Sequence, residues 1–351
     1  MSTVMVLGGS GLMGRRILRL LRQSLPDATL ICGGRSPTSV EGATFTRFDL
    51  ARPEDFGATL QHVDVLINTV GPFTYDHGPL LRACREHRCH YVDLAETPAF
   101  MQAVRDIAAG FVPGDIAAIT GCSSVPALIE VFARRWQGRA DVAGVRAQLS
   151  IGTNNDASAT LLYSMLLPIG RAKPQGSRWF GESWLRDHGA IGTRRYSTYP
   201  SGLESIGVSL GDRIVPLRFG FGFDRRSYTS ALRMVSRVVG ATPRGLLHFG
   251  SRIGAAMSPL ARPLGTRVGI MAIDALDASG DVLDSIEIIA RNNGLDVPSW
   301  PSVWAAEALL AKPNASGSIS LADLVTPDMA RSKLVAAGFE VATESAEPAL
   351  V

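Results

Sequence analysis

The run Val4-Met5-Val6-Leu7-Gly8-Gly9-Ser10-Gly11-Leu12-Met13-Gly14 sits at the start of the chain, and the rest is read from it outward. Val4 to Leu7 is an apolar stretch of strand length, and the pattern from about Leu12 to Gln23 is helical. The turn between them satisfies G-x-x-G-x-x-G from Gly8 and G-x-G-x-x-G from Gly9. Glycine is needed where a chain turns sharply and where a pyrophosphate must approach the backbone. The first N–H groups of a helix lack intrahelical acceptors and lie at its positive end, so an anion is held there. Such a motif is weak alone and strong where a strand enters it and a helix leaves it. Gly8, Gly9, Ser10, Gly11, Leu12, Met13 and Gly14 are therefore expected to bind a dinucleotide.

The first third of the chain alternates short apolar runs with helical patterns. Further strands are expected at Thr29–Cys32, Thr44–Phe48, Asp64–Val70, His90–Leu94 and Ile116–Thr120. About six strands in βαβ rhythm predict an α/β fold, an N-terminal Rossmann doubly wound parallel sheet over residues 1–122. From Gly121 the rhythm changes. Residues 123–300 are expected to form a second, α+β domain for substrate or dimerisation, containing a hairpin of Val268–Leu276 and Val282–Ala290. Helices in 301–342 are expected to return to the first domain, and 343–351 to form a tail.

The end of the second strand selects the nicotinamide cofactor. An NAD enzyme places Asp or Glu there to accept from the ribose hydroxyls. This chain has Gly33-Gly34-Arg35-Ser36-Pro37, with no carboxylate. Arg35 offers a planar fork for a 2′-phosphate and Ser36 a hydroxyl donor, which favours NADP. Arg35 could instead stack on adenine, which would permit either cofactor. Asp49 is expected beside the adenine, or else in a turn. Val70, Gly71, Pro72 and Phe73 follow the fourth strand and are expected to wall the cofactor.

Taken in order, Gly8–Gly14, Gly34-Arg35, Asn68-Thr69-Val70-Gly71-Pro72-Phe73 and Tyr91-Val92-Asp93-Leu94-Ala95-Glu96 resemble the saccharopine dehydrogenase-like (saccharopine reductase-type) NADP-binding family over about residues 1–130. The resemblance implies a Rossmann domain with an α/β domain inserted before the last helices, and NADP-dependent hydride transfer. Members act on imines and on enoyl groups of lipids, so the reaction type follows better than the substrate. Gly121-Cys122-Ser123-Ser124-Val125-Pro126 departs from the family pattern by carrying Cys-Ser-Ser where relatives often have an acid or a glycine.

Hydride transfer needs a proton donor beside the reacting carbon, and ligands of open α/β sheets lie outside the carboxyl ends of the strands. Asp93, Glu96 and Tyr91, at the end of the fifth strand, are the catalytic candidates; a carboxyl there could anchor an amine or act as an acid. Equally, these carboxyls could be a helix cap and a structural ion pair. Tyr75 and His77 are further donors. Ser123 or Ser124 is expected to cap the helix at Pro126, and nothing adjacent activates Cys122. In the second domain, Gly152–Asp156 and Phe219–Phe223 could line a pocket, although the alternating phenylalanines fit a half-buried strand.

Composition bounds the remaining choices. The 351 residues are 46% hydrophobic and 19% charged with a formal net charge of +3, which fits a globular chain and gives no basic stripe for nucleic acid. Lysine occurs only at 173, 312 and 333, so no Tyr-x-x-x-Lys pair of the short-chain epimerase type exists. Cys32, Cys84, Cys89 and Cys122 lack metal-ligand spacing and read as free thiols, and no metal site is expected. With no signal peptide and no apolar run near ~18–20 residues, a cytoplasmic location without an integral membrane segment is expected. Arg15, Arg19 and Arg22 share a helical face that reads as solvated, the alternative being a membrane-surface or partner role. The apolar, arginine-bearing stretch 236–264 could touch a membrane, a lipidic substrate or a partner subunit. The expected function is an NADP-dependent oxidoreductase of a small organic substrate (imine, keto or enoyl), with a homodimer as a candidate assembly; the alternative is a non-catalytic NADP(H)-binding sensor or scaffold.

Overall fold

Seven parallel strands form the first sheet of the computed structural model, which describes residues 2–155, 157–173, 176–203, 206–261 and 264–345. They are β1 (Thr3–Leu7), β2 (Thr29–Gly34), β3 (Thr44–Arg47), β4 (Val65–Asn68), β5 (His90–Asp93), β6 (Ala117–Ile119) and the short β15 (Gly317–Ser318), in the order β15-β6-β5-β4-β1-β2-β3. Val4 to Leu7 and Val65 to Ile67 are buried on both faces, which is why these strands are unbroken apolar runs. Helices α1 (Leu12–Ser24), α2 (Phe56–Leu60), α3 (Gly78–Glu86) and α4 (Pro98–Ala108) make the crossovers. The order reverses between β1 and β4, the switch point where a doubly wound sheet receives its ligand.

This unit comprises Met1–Val131 and Leu295–Thr326. The returning segment adds β15 and α9 (Trp300–Ala311), whose Val303, Trp304, Ala305 and Ala306 are buried and which packs on α1, β4 and β5. Asp296 receives Arg16 and Arg19 of α1, at 3.0 and 2.5 Å. The arginine face is exposed at Arg15 and Arg19, as expected of a solvated face, and two of its members also pair: Arg19 with Asp296 and Arg22 with Glu41 at 3.1 Å, while Arg15 donates to the Ser10 carbonyl.

The second unit comprises Phe132–Gly294 and Pro327–Val351. Its mixed sheet contains β7 (Gly144–Ile151), β8 (Ser183–Arg186), β9 (Arg194–Thr198), β12 (Leu217–Phe223), β13 (Gly269–Leu276), β14 (Val282–Ala290) and β16 (Glu340–Ser345), in the order β16-β14-β13-β7-β12-β9-β8. The expected hairpin is present as β13 and β14, antiparallel through Ile273↔Ile286. Beside it lie a two-stranded antiparallel ribbon, β10 (Val208–Ser209) with β11 (Ile214–Val215), and helices α6 (Ala159–Leu166), α7 (Arg226–Ala241), α8 (Arg244–Ala261) and α10 (Pro327–Ala336); the short α5 (Ile129–Ala133) carries the chain from the first unit's residues into the second's. Inside it the Trp136 indole donates to buried Asp284 at 2.8 Å, and Arg135 reaches the same carboxylate.

The expected segment bounds differ from these units. Ser123 to Val131 group with the first unit. Of the 301–342 stretch, α10 packs on β16 in the second unit. Thr343 to Ser345 belong to β16, with Thr343 opposite Ile286, because the alternation from Glu340 to Glu344 lets this segment pair along β14. Residues 346–351 lie outside the described residues.

Candidate active site

One row of register partners crosses the first sheet near its carboxyl edge: Gly33 on β2 opposes Leu7 on β1, Leu7 opposes Asn68 on β4, and Asn68 opposes Asp93 on β5. The glycine turn, the Arg35 loop, the segment after Asn68 and the loop after Asp93 therefore leave the sheet on the same edge. Short bonds lock them there. The Gly8 N–H donates to the Gly33 carbonyl at 2.8 Å, and the Thr69 hydroxyl donates to the Leu7 carbonyl at 2.8 Å.

The turn is built so that it leaves no room for side chains. Gly8 has φ +79°, in the left-handed region, and a Cβ there would lie 2.7 Å from the Thr69 hydroxyl oxygen. A Cβ on Gly14 would lie 2.6 Å from the Gly9 Cα and closer still to the Gly8 carbonyl. No side chain caps α1, and no acid stands in its first turn. The Gly11 N–H turns in to the Gly8 carbonyl at 2.9 Å, while the N–H groups of the first turn of α1 meet no side-chain cap and no competing acid.

Arg35 and Ser36 follow β2 and are exposed, and Arg35 has no ion-pair partner among the described residues. A Cβ on Gly34 would stand 3.9 Å from the Ser10 hydroxyl, so the guanidinium loop adjoins the glycine turn. A free cation beside an uncapped helix fits a dinucleotide carrying a further phosphate. Asp49 is half-buried, and its carboxylate accepts from the Ala51 N–H at 3.1 Å, the turn role that its position also allowed.

After β4, buried Asn68 is a hub that the candidate residues did not include. Its amide nitrogen donates to the Tyr75 hydroxyl at 2.7 Å and to the Tyr91 hydroxyl at 3.1 Å, and its oxygen accepts from the Val70 N–H. The clue in the sequence was a lone asparagine ending an apolar strand. Val70, Gly71, Pro72 and Phe73 are half-buried, and the Phe73 ring meets Phe100 at 5.2 Å. Burial raises the Tyr75 phenol, Asn68 partly offsets this, and nearby Asp93 adds to the rise.

Asp93 is fully buried. One oxygen accepts from the Ala95 N–H, the Gly121 N–H and the Thr120 hydroxyl at 2.8 to 2.9 Å; the other has no hydrogen-bond partner among the described residues. Burial raises its carboxyl, and the three donors only partly counter it. Tyr91 is buried too, its phenol held well above the usual range by desolvation. Glu96 is exposed at its surface while protein crowds it from behind. Desolvation by that crowding pushes its carboxyl up to about 7. The structure thus brings Tyr91 and Asp93 into one buried network and leaves Glu96 outside it.

His77 is buried against the Phe100 ring at 4.4 Å, with neither ring nitrogen hydrogen-bonded. The Ser123 side chain makes no capping bond, because its neighbour Val125 departs from helical geometry and a wide-turn helix begins instead. Cys122 is a buried thiol raised by desolvation, as expected of an inert one. In the second unit, Phe219 and Phe221 are buried in β12, the half-buried strand reading. Thr153 bonds Asp224 at 2.9 Å; Asp156 lies outside the described residues.

Residues 4–119 match the family described as the saccharopine dehydrogenase NADP binding domain. Saccharopine dehydrogenase (L-Glu forming) from Saccharomyces cerevisiae superposes with a TM-score of 0.63 over 99% of this chain and 100% of that one, at 10% identity, which speaks to fold alone. A Mycobacterium tuberculosis protein bearing the name of a trans-acting enoyl reductase is 28% identical over 155 residues, 40% of this chain and 37% of its own. A protein of Arabidopsis thaliana named as a mitochondrial saccharopine dehydrogenase-like oxidoreductase is 27% identical over 119 residues, 28% of this chain and 26% of its own. The matched stretches thus span well under half of either relative.

Proposed function

From the premise that residues 4–119 belong to the saccharopine dehydrogenase-type NADP-binding family, with NADP as the cofactor, we propose that the chain is an NADP-dependent oxidoreductase of a small imine, keto or enoyl substrate. The observation that supports this most is the hydroxyl–amide chain Tyr75–Asn68–Tyr91, set on the same sheet edge as the glycine turn. When bound, the cofactor supplies or accepts the hydride. In this reading Gly8 to Gly14 hold its pyrophosphate, Arg35 and Ser36 its 2′-phosphate, and Val70 to Phe73 orient its ring.

Tyr75 is half-buried, so its hydroxyl is the member of the chain that a substrate atom can meet. Its raised phenol stays protonated at neutral pH and gives a hydrogen bond, or a proton, to the heteroatom of the substrate. Asn68 fixes that hydroxyl; Tyr91 and Asp93, sealed from solvent, position it from behind. Glu96, at the surface, is the carboxyl suited to a substrate amine.

The test is NADPH oxidation against imines, 2-keto acids and enoyl thioesters, with Tyr75→Phe as the variant. We expect kcat to fall about 10²-fold or more with cofactor affinity unchanged. Turnover unaffected by Tyr75→Phe would remove that residue from the chemistry. Tight NADPH binding without turnover of any substrate class would favour a cofactor sensor.

A further inference from the structure

The redox reading leaves α7 and α8 of the second unit without a role, although large hydrophobic side chains stand exposed along both. On α7, Met234 is 82% and Val238 70% exposed, with Val235 beside them. On α8, Leu246, Phe249, Ile253 and Met257 recur at spacings of three and four, so they share one stripe, and all are exposed. Leu247 and Ser251, on the opposite side of α8, are buried and face the protein. The stripe therefore points directly away from the unit that carries it.

Charge says what such a stripe can lie against. Arg225, Arg226, Arg233, Arg237, Arg244 and Arg252 fall on or beside these helices, and no acidic residue occurs between Asp224 and Asp274. Arg226, Arg237, Arg244 and Arg252 are exposed and form no ion pair among the described residues. Arg226, Arg233 and Arg237 recur at spacings of seven and four, flanking the α7 stripe. A second copy placed on this face by two-fold symmetry would bring these arginines against each other with no carboxylate to pair them. An apolar stripe edged with unpaired arginines complements a surface that is negative outside and apolar beneath, which is a leaflet containing anionic lipid. Among the described residues no helix is long and apolar enough to cross a membrane, so the contact is in the plane of the interface.

We propose that α7 and α8 form a peripheral docking face for anionic lipid membranes. Phe249, Ile253, Met257 and Met234 enter the headgroup boundary, and Arg226, Arg237, Arg244 and Arg252 meet the phosphates. This proposal does not depend on the redox reading.

The experiment is co-sedimentation of the full chain with vesicles of phosphatidylcholine alone and of phosphatidylcholine mixed equally with phosphatidylglycerol. Binding is expected only to the anionic vesicles and should weaken as salt rises. Each of Arg237→Gln and Arg244→Gln should cost about fivefold in partition coefficient. Phe249→Asp should cost more than tenfold, with Met257→Ser as a gentler second variant; NADPH affinity checks that each remains folded. Absence of sedimentation with anionic vesicles, or equal binding to both compositions, would overturn the proposal. So would a wild-type dimer that Phe249→Asp makes monomeric while vesicle binding is absent, which would assign the stripe to self-association.

Discussion

Arg19 of α1 pairs at 2.5 Å with Asp296, 277 residues further along the chain, and Asp296 shares its other oxygen with Arg16. The carboxylate is nearly sealed from solvent, whereas Arg19 is 42% exposed. Loss of the acid leaves two guanidinium groups partly buried and unpaired; loss of Arg19 alone leaves Arg16 in place. Asp296→Ala should therefore cost about 1–3 kcal/mol and Arg19→Gln less than about 1 kcal/mol. Urea midpoints of the two variants check this, and equal losses would contradict the buried geometry.

Gly14 has no room for a methyl group, since the obstacle is backbone and cannot swing aside. Gly14→Ala should displace the turn and weaken NADPH at least about tenfold. Fluorescence titration measures the affinity, and far-ultraviolet dichroism verifies that the sheet survives.

Arg35 stands free and exposed beside that turn. Arg35→Asp replaces attraction with repulsion at the extra phosphate, so NADPH affinity should fall about 10- to 100-fold while NADH holds or gains. Competition titrations with both nucleotides decide the point. A parallel loss for the two would mean that Arg35 stacks on the adenine instead.

Asp93 gives a pH signature. Its folded carboxyl is raised above the ordinary aspartate value of 3.8. The protonated form is therefore the better folded form: the stabilisation is complete below that value and is lost as pH rises through the folded one. At neutral pH the buried anion is a cost. Asp93→Asn, which keeps an oxygen for the donors of Ala95, Thr120 and Gly121, should compare best with the wild type at pH 7 and worse in acid. Asp93→Ala abandons those donors and should cost about 3 kcal/mol or more at any pH. Denaturant melts at two pH values read both effects, and a reversed trend for the asparagine variant would refute the assignment.

The parallel sheet was legible because its strands are buried on both faces and so carry unbroken apolar runs, and the glycine turn because its backbone leaves no alternative residue. Arg35 stands where its position lacks an acid, and its role at the cofactor rests on the titrations above. Asn68 left only a weak clue, one amide ending an apolar strand, and its meaning rests on Tyr75 and Tyr91 meeting it in space. Asp49 fitted two roles by position, and only the Ala51 N–H shows the turn role filled. The unit boundary was misplaced by nine residues because the helical pattern from Pro126 carries no mark of which sheet it packs on. The pairing of Arg19 on the exposed face of α1 is hidden for the same kind of reason: its partner is nearly 280 positions away.

The interruption of the first unit between Val131 and Leu295 fixes an order of events during synthesis. Six of its strands leave the ribosome early, but the helix Trp300–Ala311 and the strand Gly317–Ser318 emerge only after some 160 intervening residues have been made. Until then β6 has a bare edge and α1 lacks the cover that α9 provides. The nucleotide-binding half begins first yet is finished only after most of the second unit has been made, so a fragment cut at residue 131 is not a smaller version of it.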